Sequence, residues 1–396
     1  MKIYIKWQSE AIYVYLLAFI VISLPYSHLL SSLGIAALAA CWLVSGNWPE
    51  KWVRLKRNMP ALCLLTLFAV FLVSLIYTDH FLRGWWEIEK KLALLVFPLI
   101  LGSLQLSDTR RIFILKAYVF SAVCSALYGV GLVYAHYLNH TAQGMQMNFA
   151  YYQWILPYLH DFLVPRWTMF AGGAALVSFW FFLRTKKWLY ALLFLFLNAF
   201  IIFLASRMAL VAVWGVFLAY FMVKAVQEKK LYLLVGPLLF LVISSGVLWY
   251  ASPYIRSKVN NASGTSDRTY LWRAGYEAWL QSPLLGHGAG TGTVAVEEVF
   301  LARGYPVTLK SFEVHNQYLS FLLHYGLLGL GLFVAAFLTA FYGGWKKGNV
   351  LILLLLPFFY CTFFTETLLA NHQGVITFAL LFSLLAGSPI QHVSKY

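Results

Sequence analysis

The chain has 396 residues, of which 61% are apolar, 18% aromatic and only 11% charged, and its mean hydropathy is +0.74. A soluble domain is about a quarter charged, so a soluble globular enzyme, a disordered chain and a fibrous repeat are excluded, and most of this surface needs lipid as its solvent. The net charge of +15, from 29 Lys and Arg against 14 Asp and Glu, then matters through its location and not as a nucleic-acid signature.

A helix needs about 20 apolar residues to cross the hydrocarbon core, and twelve runs of roughly that size follow in chain order. They are Ala11 to Leu24, Leu29 to Ser45, Pro60 to Tyr77, Leu92 to Leu104, Ile112 to Leu138 and Thr168 to Leu183. Then come Trp188 to Leu204, Met208 to Val223, Leu231 to Tyr250, Asn316 to Phe341, Val350 to Phe364 and Val375 to Leu385. Lys2 and Lys6 precede the first run with no small-residue cleavage site after it, so the first helix is expected to stay in the protein. Cys41, Cys63, Cys124 and Cys361 lie inside apolar runs without metal-ligand spacing, which indicates neither a disulfide frame nor a zinc site.

Every second connection is basic: Lys51, Arg54, Lys56 and Arg57; Arg110 and Arg111; Arg184, Lys186 and Lys187; Lys224, Lys229 and Lys230; Lys346 and Lys347, with Lys395 at the end. The positive-inside rule places these on the cytoplasmic side and favours an even count with both termini inside. The opposite face carries the long connections Thr78 to Lys91, Asn139 to Trp167 and Ala251 to His315, and long loops in a compact protein usually carry function. In the last, Ser266 and Asp267 cap a helix that bears Leu271, Trp272, Gly275, Ala278 and Trp279 and stops at Ser282 and Pro283. It reads as an amphipathic surface helix with its tryptophans turned inward. No fixed-period repeat and no paired broken helices with mid-membrane polar residues are visible, which counts against a carrier.

Three outer-face cations sit at helix starts. Arg207 follows Ser206 at the start of the eighth run, Arg268 lies in the first turn of the loop helix, and His315 with Asn316 opens the tenth run. A cation at a helix N-terminus is mildly unfavourable, by about 0.3 to 1 kcal/mol when exposed. A phosphate offsets this, because free backbone N–H groups and the Arg fork together bind it. Two such arginines suggest a polyanion such as a membrane-surface pyrophosphate. Taken singly, Arg207 also fits an interface anchor, Arg268 a surface charge neutralised by Asp267, and His315 an ordinary helix-end histidine.

Other candidates have equally plain alternatives. The glycines at 286, 288, 290 and 292 could form an anion nest or a flexible hinge. Glu366 could orient His315, pair an arginine, or be an interfacial charge. Arg83, Trp85, Trp86, Glu87, Lys90 and Lys91 could touch a donor phosphate or an acceptor sugar, or form an aromatic belt with snorkelling lysines. His136, His140, His160, His287, His324 and His372 show no partner pattern and read as structural.

The order of these motifs resembles the O-antigen ligase and polymerase family of membrane glycosyltransferases. The matching pieces are Ser206-Arg207-Met208-Ala209; Ser266-Asp267-Arg268 with Trp272, Pro283 and Gly286-His287-Gly288; His315-Asn316-Gln317-Tyr318-Leu319 with Gly326, Gly329 and Gly331; then Glu366 and Gln373-Gly374. The resemblance implies an all-α, polytopic, GT-C-like protein of about twelve transmembrane helices. Its first nine helices would occupy 1–250, a periplasmic loop domain 251–314, and the last three helices 315–396. It implies an enzyme of the bacterial inner membrane with a periplasmic site, moving a glycan from undecaprenyl diphosphate to lipid A core, to another carrier-linked glycan or to a protein. Carried over by residue, Arg207 and Arg268 would bind the donor pyrophosphate and His315 would be catalytic, with Glu366, Asn316, Arg83 and Lys90 as possible supports and neither metal nor cofactor required. The alternative from another class is a non-enzymatic lipid or polysaccharide transporter.

Overall fold

The computed structural model of the chain describes residues 2–141, 163–251, 267–305, 311–386 and 390. Regular structure among them is entirely helical, as the composition implies. In chain order the helices are α1 (Lys2–Ser23), α2 (His28–Val44), α3 (Trp48–Lys56), α4 (Met59–Val73), α5 (Phe81–Glu89), α6 (Ala93–Ser103), α7 (Asp108–Thr141) and α8 (Val164–Thr185). They continue as α9 (Trp188–Phe203), α10 (Arg207–Glu228), α11 (Val235–Ala251), α12 (Asp267–Gln281), α13 (Gly292–Ala302), α14 (Gln317–Lys346), α15 (Val350–Thr362) and α16 (His372–Ala386).

Each of the twelve apolar runs is helical. Four helices, α7, α8, α10 and α14, are long and apolar enough to cross a membrane, or up to five if α2 and α3, bent by 114°, count as one span. Six further apolar helices are shorter, among them α4, α9, α15 and α16. The chain is thus a helical, multi-pass membrane protein.

α8 is the central post. Its residues from Trp167 to Phe181 are buried on all sides, the pattern of a helix surrounded by protein. The small residues of Ala171-Gly172-Gly173-Ala174 permit this by letting neighbours approach closely. A Cβ at Gly172 would stand 2.5 Å from the Phe358 ring, and one at Gly173 2.5 Å from the Tyr118 hydroxyl. Around this post, Phe333, Phe358, Phe359, Phe363 and Phe378 join α14, α15 and α16 in one buried aromatic core.

α14 is not continuous. Gly326 has φ 61° and ψ −162°, a conformation essentially reserved for glycine. The chain at 283–288 fills the gap. His287 N–H donates to the Leu323 carbonyl at 2.8 Å, Gly288 N–H to that of His324 at 3.1 Å, and Leu327 N–H to that of Pro283 at 2.9 Å. The loop restores bonds the helix lost, as burial of backbone polar groups demands. These glycine N–H groups are therefore occupied, and the anion-nest reading of Gly286 and Gly288 is corrected. A broken helix, unrecognised in the sequence, is present instead.

The loop helix α12 forms as expected, although Ser266 lies outside the described residues. Its buried face is Leu271, Ala274 and Ala278, packed with Val296 and Phe300 of α13 and with Val314 and Leu323. Of its two tryptophans, Trp279 packs against this cluster as expected, whereas Trp272 is 39% exposed. Small residues let α12 lie close to α14, so protein and not lipid covers its apolar face. α13 itself, with valines close in sequence after a glycine run, lacks a helix-start signature.

Candidate functional site

His315 precedes α14 with a left-handed backbone, φ 48°. Non-glycine residues adopt that region rarely, histidine more readily than most. Neighbouring bonds hold it there. The Trp272 indole N–H donates to the Val314 carbonyl at 2.8 Å, and Gln317 N–H donates to the Phe363 carbonyl at 2.8 Å. The Asn316 side chain accepts from the N–H groups of Tyr318 and Leu319 at 3.0 and 3.1 Å, an N-cap that satisfies otherwise orphaned donors. Asn316 thus anchors the helix start beside His315.

The same interlock places Glu366. The Gln317 side-chain carbonyl accepts from Leu369 N–H at 2.7 Å, so the segment 363–369 is tied to the start of α14. Glu366 then reaches two partners at once: Arg268 Nη2 lies 3.0 Å from one carboxylate oxygen and His315 Nδ1 lies 3.6 Å from the other. All three are accessible, with side chains 44%, 38% and 25% exposed for Arg268, His315 and Glu366. Arg268 and Trp272 are one turn apart on α12, the i, i+4 spacing that presents both from one face. One turn grips Glu366 and the next grips the backbone before His315. Trp272, named in the sequence as part of the loop helix and of the motif after Arg268, is a positioning residue; the sequence reading gave it no such role, and its spacing from Arg268 was the available clue.

Arg207 does not join this trio by a bond. It is exposed at the start of α10 and has no hydrogen-bond or ion-pair partner among the described residues. It is nevertheless at the same end of the bundle. The last half of α10 lines a cleft with Phe341, Trp345 and Val350, at the end of α14 remote from His315, so the first residue of α10 lies at the opposite, site-bearing end. Ala205, two residues earlier, also has a left-handed backbone, φ 49°.

Arg83 and Lys90 belong to a neighbouring chamber of about 230 Å³, whose wall includes Glu87, Lys91, Glu313 and His324. Arg83 Nη2 donates to the Thr293 hydroxyl at 2.6 Å. Glu87 is shared by Lys90 Nζ at 2.6 Å and Lys91 Nζ at 3.1 Å. Burial alone would raise the Glu87 pKa, but Lys91 and Lys90 together bring its carboxyl down to about 2. Burial lowers the pKa of Lys91, which is 5% exposed, and Glu87 opposes that shift. The Thr367 hydroxyl donates to Glu313, so the chamber shares the two segments that carry His315 and Glu366. Of the histidines read as structural, His287 is so, its Nε2 lying 2.7 Å from the Ala278 carbonyl, whereas His324 faces this chamber. His160 lies outside the described residues.

Residues 191–334 match the O-antigen ligase family. Over 88 residues the chain is 34% identical to the exopolysaccharide production protein ExoQ of Rhizobium meliloti (strain 1021), an alignment covering 22% of this chain and 20% of that protein. The chain thus matches about a fifth of that relative's length. The family match runs from α9 past the break in α14 and takes in Arg207, Arg268 and His315.

Proposed function

We propose that this protein is a glycosyltransferase that moves a glycan from undecaprenyl diphosphate to an acceptor hydroxyl, as an O-antigen ligase does. The observation that carries the reading is Glu366 standing between Arg268 and His315. A carboxylate at Nδ1 fixes the imidazole and leaves Nε2 to take a proton, the base-and-orienter arrangement of activated hydroxyl nucleophiles. At 3.6 Å the His315–Glu366 contact is longer than a hydrogen bond, and such contacts tighten when substrate is bound.

In the proposed reaction the acceptor oxygen attacks the anomeric carbon and its proton passes to His315. The sugar–phosphate bond breaks and the carrier diphosphate leaves with the electron pair. Arg268 and Arg207 stabilise that charge, the role of preorganised cations at a leaving group, so no metal is required and single displacement inverts the anomeric carbon. A diphosphate at Arg268 also competes with Glu366 for the guanidinium and releases the carboxylate toward His315. Donor binding would thereby prepare the base.

We place the site on the periplasmic face of the inner membrane, with about twelve spans and both termini cytoplasmic, on the strength of the alternating basic connections. Lipid A core is the acceptor of the ligase reading. A carrier-linked glycan is that of a polymerase, a reading favoured by the exopolysaccharide role in the relative's name. The test is purified protein with carrier-linked glycan and each acceptor. An enzyme releases undecaprenyl diphosphate, keeps doing so in chelator, and is crippled in Arg207→Ala and Arg268→Ala. A transporter releases none, and undiminished release in both arginine variants would overturn the donor assignment.

A further inference from the structure

The end of the bundle remote from His315 holds a cup of its own. Its volume is about 580 Å³, and it lies where α3 ends, α4 and α7 begin, and α14 and α16 finish. Arg54, Arg57, Arg111 and Lys347 stand on its wall with Asp108. The neighbouring carboxylates do not cancel this charge. Glu50 lies 3.2 Å from Arg54, and Glu10 is paired with Arg110, which adjoins Arg111 in sequence. With those pairs included, five cations stand against three carboxylates, and Arg184 draws on Asp108 as well. The Arg57 side chain has no hydrogen-bond or ion-pair partner among the described residues.

A second observation distinguishes the cup from a merely basic surface. Ser383, on its wall and 6% exposed, has a hydroxyl with no hydrogen-bond partner among the described residues. A serine or threonine within a helix can donate to the carbonyl four residues back, as Thr377 of the same helix does to Gln373 at 2.8 Å. Buried polar groups are nearly always paired, so the Ser383 hydroxyl calls for an acceptor from outside. A phosphate oxygen is such an acceptor, and arginine forks bind phosphate at two points. Space is kept for it too: a Cβ at Gly343, on the same wall, would meet nothing within 4 Å.

The source of that phosphate follows from α3. This helix turns 114° from α2 and exposes Trp48, Trp52 and Val53, while Lys51 and Leu55 are buried. Lys56 Nζ stands 5.2 Å from the centre of the Trp52 ring. A short helix set across the bundle, with outward tryptophans and basic residues, lies in the membrane interface, which puts Arg54 and Arg57 at headgroup depth. Met59, exposed on the cup wall, offers an acyl chain an apolar contact. We infer that the cup binds the phosphodiester of an anionic glycerophospholipid from the leaflet at that end, as basic pockets between membrane helices do. The lipid pins together the ends of α3, α7, α14 and α16. It takes no part in glycan transfer, so the inference stands apart from the donor reading.

The probe is phosphatidylglycerol, titrated onto the full-length protein in detergent and counted by native mass spectrometry against phosphatidylcholine with the same acyl chains. One phosphatidylglycerol per chain is expected to bind at least about tenfold more tightly than the neutral lipid, as a site of charge-assisted bonds requires. Arg57→Ala/Lys347→Ala should abolish that preference. Gly343→Trp should abolish it with every charge intact, and Ser383→Ala should reduce it. Lys187→Ala/Lys230→Ala removes the same charge from exposed connections nearby and should leave the preference unchanged, which separates the cup from the general basicity of that end. An equal loss in Lys187→Ala/Lys230→Ala would overturn the inference, as would a preference that survives in Arg57→Ala/Lys347→Ala or in folded Gly343→Trp. Equal competition by free glycerol phosphate at the lipid's own concentration would overturn the lipid occupant and assign the cup to a soluble phosphate.

Discussion

His315 is held in a left-handed conformation that costs about 1–3 kcal/mol, and the bonds at Val314, Asn316 and Gln317 supply the constraint that keeps it. Strain maintained by several independent ties marks a residue whose direction matters. Glu366 has the matching task of dividing one carboxylate between a guanidinium and an imidazole. Because the three side chains are well exposed, the pairs contribute little to folding, about 0–1 kcal/mol. Glu366→Gln should therefore leave thermal stability nearly unchanged. It should lower kcat by tenfold or more, because His315 loses its orienter, while KM for the donor stays level or falls, because Arg268 is freed. Steady-state kinetics with varied donor read the split, and an unchanged kcat would remove Glu366 from the mechanism. The Arg, His and Glu were legible as candidates from motif order. Their joint contact was not, since Glu366 is 98 residues from Arg268 along the chain and pairing at that range is a property of the fold.

At the scale of the elements, α5 and the break in α14 build the ground on which the site stands. α5 is tied to α13 by the Arg83–Thr293 bond, while Glu87 pairs within its own segment with Lys90 and Lys91; the sequence showed these charges without showing that Lys91 is buried. The Glu87 carboxyl would ionise near 4.5 in the unfolded chain and titrates at about 2 in the folded one. A depressed carboxyl stabilises the fold in full above the unfolded value and loses that contribution as pH falls through the folded one. Unfolding in detergent should therefore weaken by about 2–3 kcal/mol between pH 4.5 and 2 through this group. Glu87→Gln should lack that component, and identical acid profiles for the two proteins would refute it. Gly326 is the second pivot. A Cβ there would lie 2.2 Å from the Leu284 carbonyl oxygen, which the loop cannot yield without losing its bonds into the helix. Gly326→Ala should reduce folded yield or lower the melting temperature sharply, whereas Gly331→Ala, facing open space, should not. Equal behaviour of the two would contradict the packed-loop description. Periodicity predicts a continuous helix across 326, because a single glycine does not reveal whether another strand of chain will fill the gap.

Over the whole molecule, apolar runs correctly located the helices, since burial in lipid or protein demands the same residues. For that reason hydropathy cannot separate a span from an internal helix, and among the described residues four helices, or five with the bent pair, qualify on length and composition. In the orientation proposed from the alternating basic connections, the Arg268–Glu366–His315 end of the bundle would lie outside and the Lys346–Lys347 end inside. What the fold adds is the gathering at one end of a strained histidine, its carboxylate, an arginine from the loop helix and the first turn of α10, with the chamber lined by Arg83, Glu87 and Lys90 alongside. The most direct test is made on the reconstituted protein, measuring donor binding and carrier diphosphate release side by side in wild type and in a folded His315→Ala variant. The account predicts donor binding within about twofold of wild type and release lowered by roughly 10²–10⁴-fold, the usual contribution of a general base. Release from His315→Ala at the wild-type rate would contradict it.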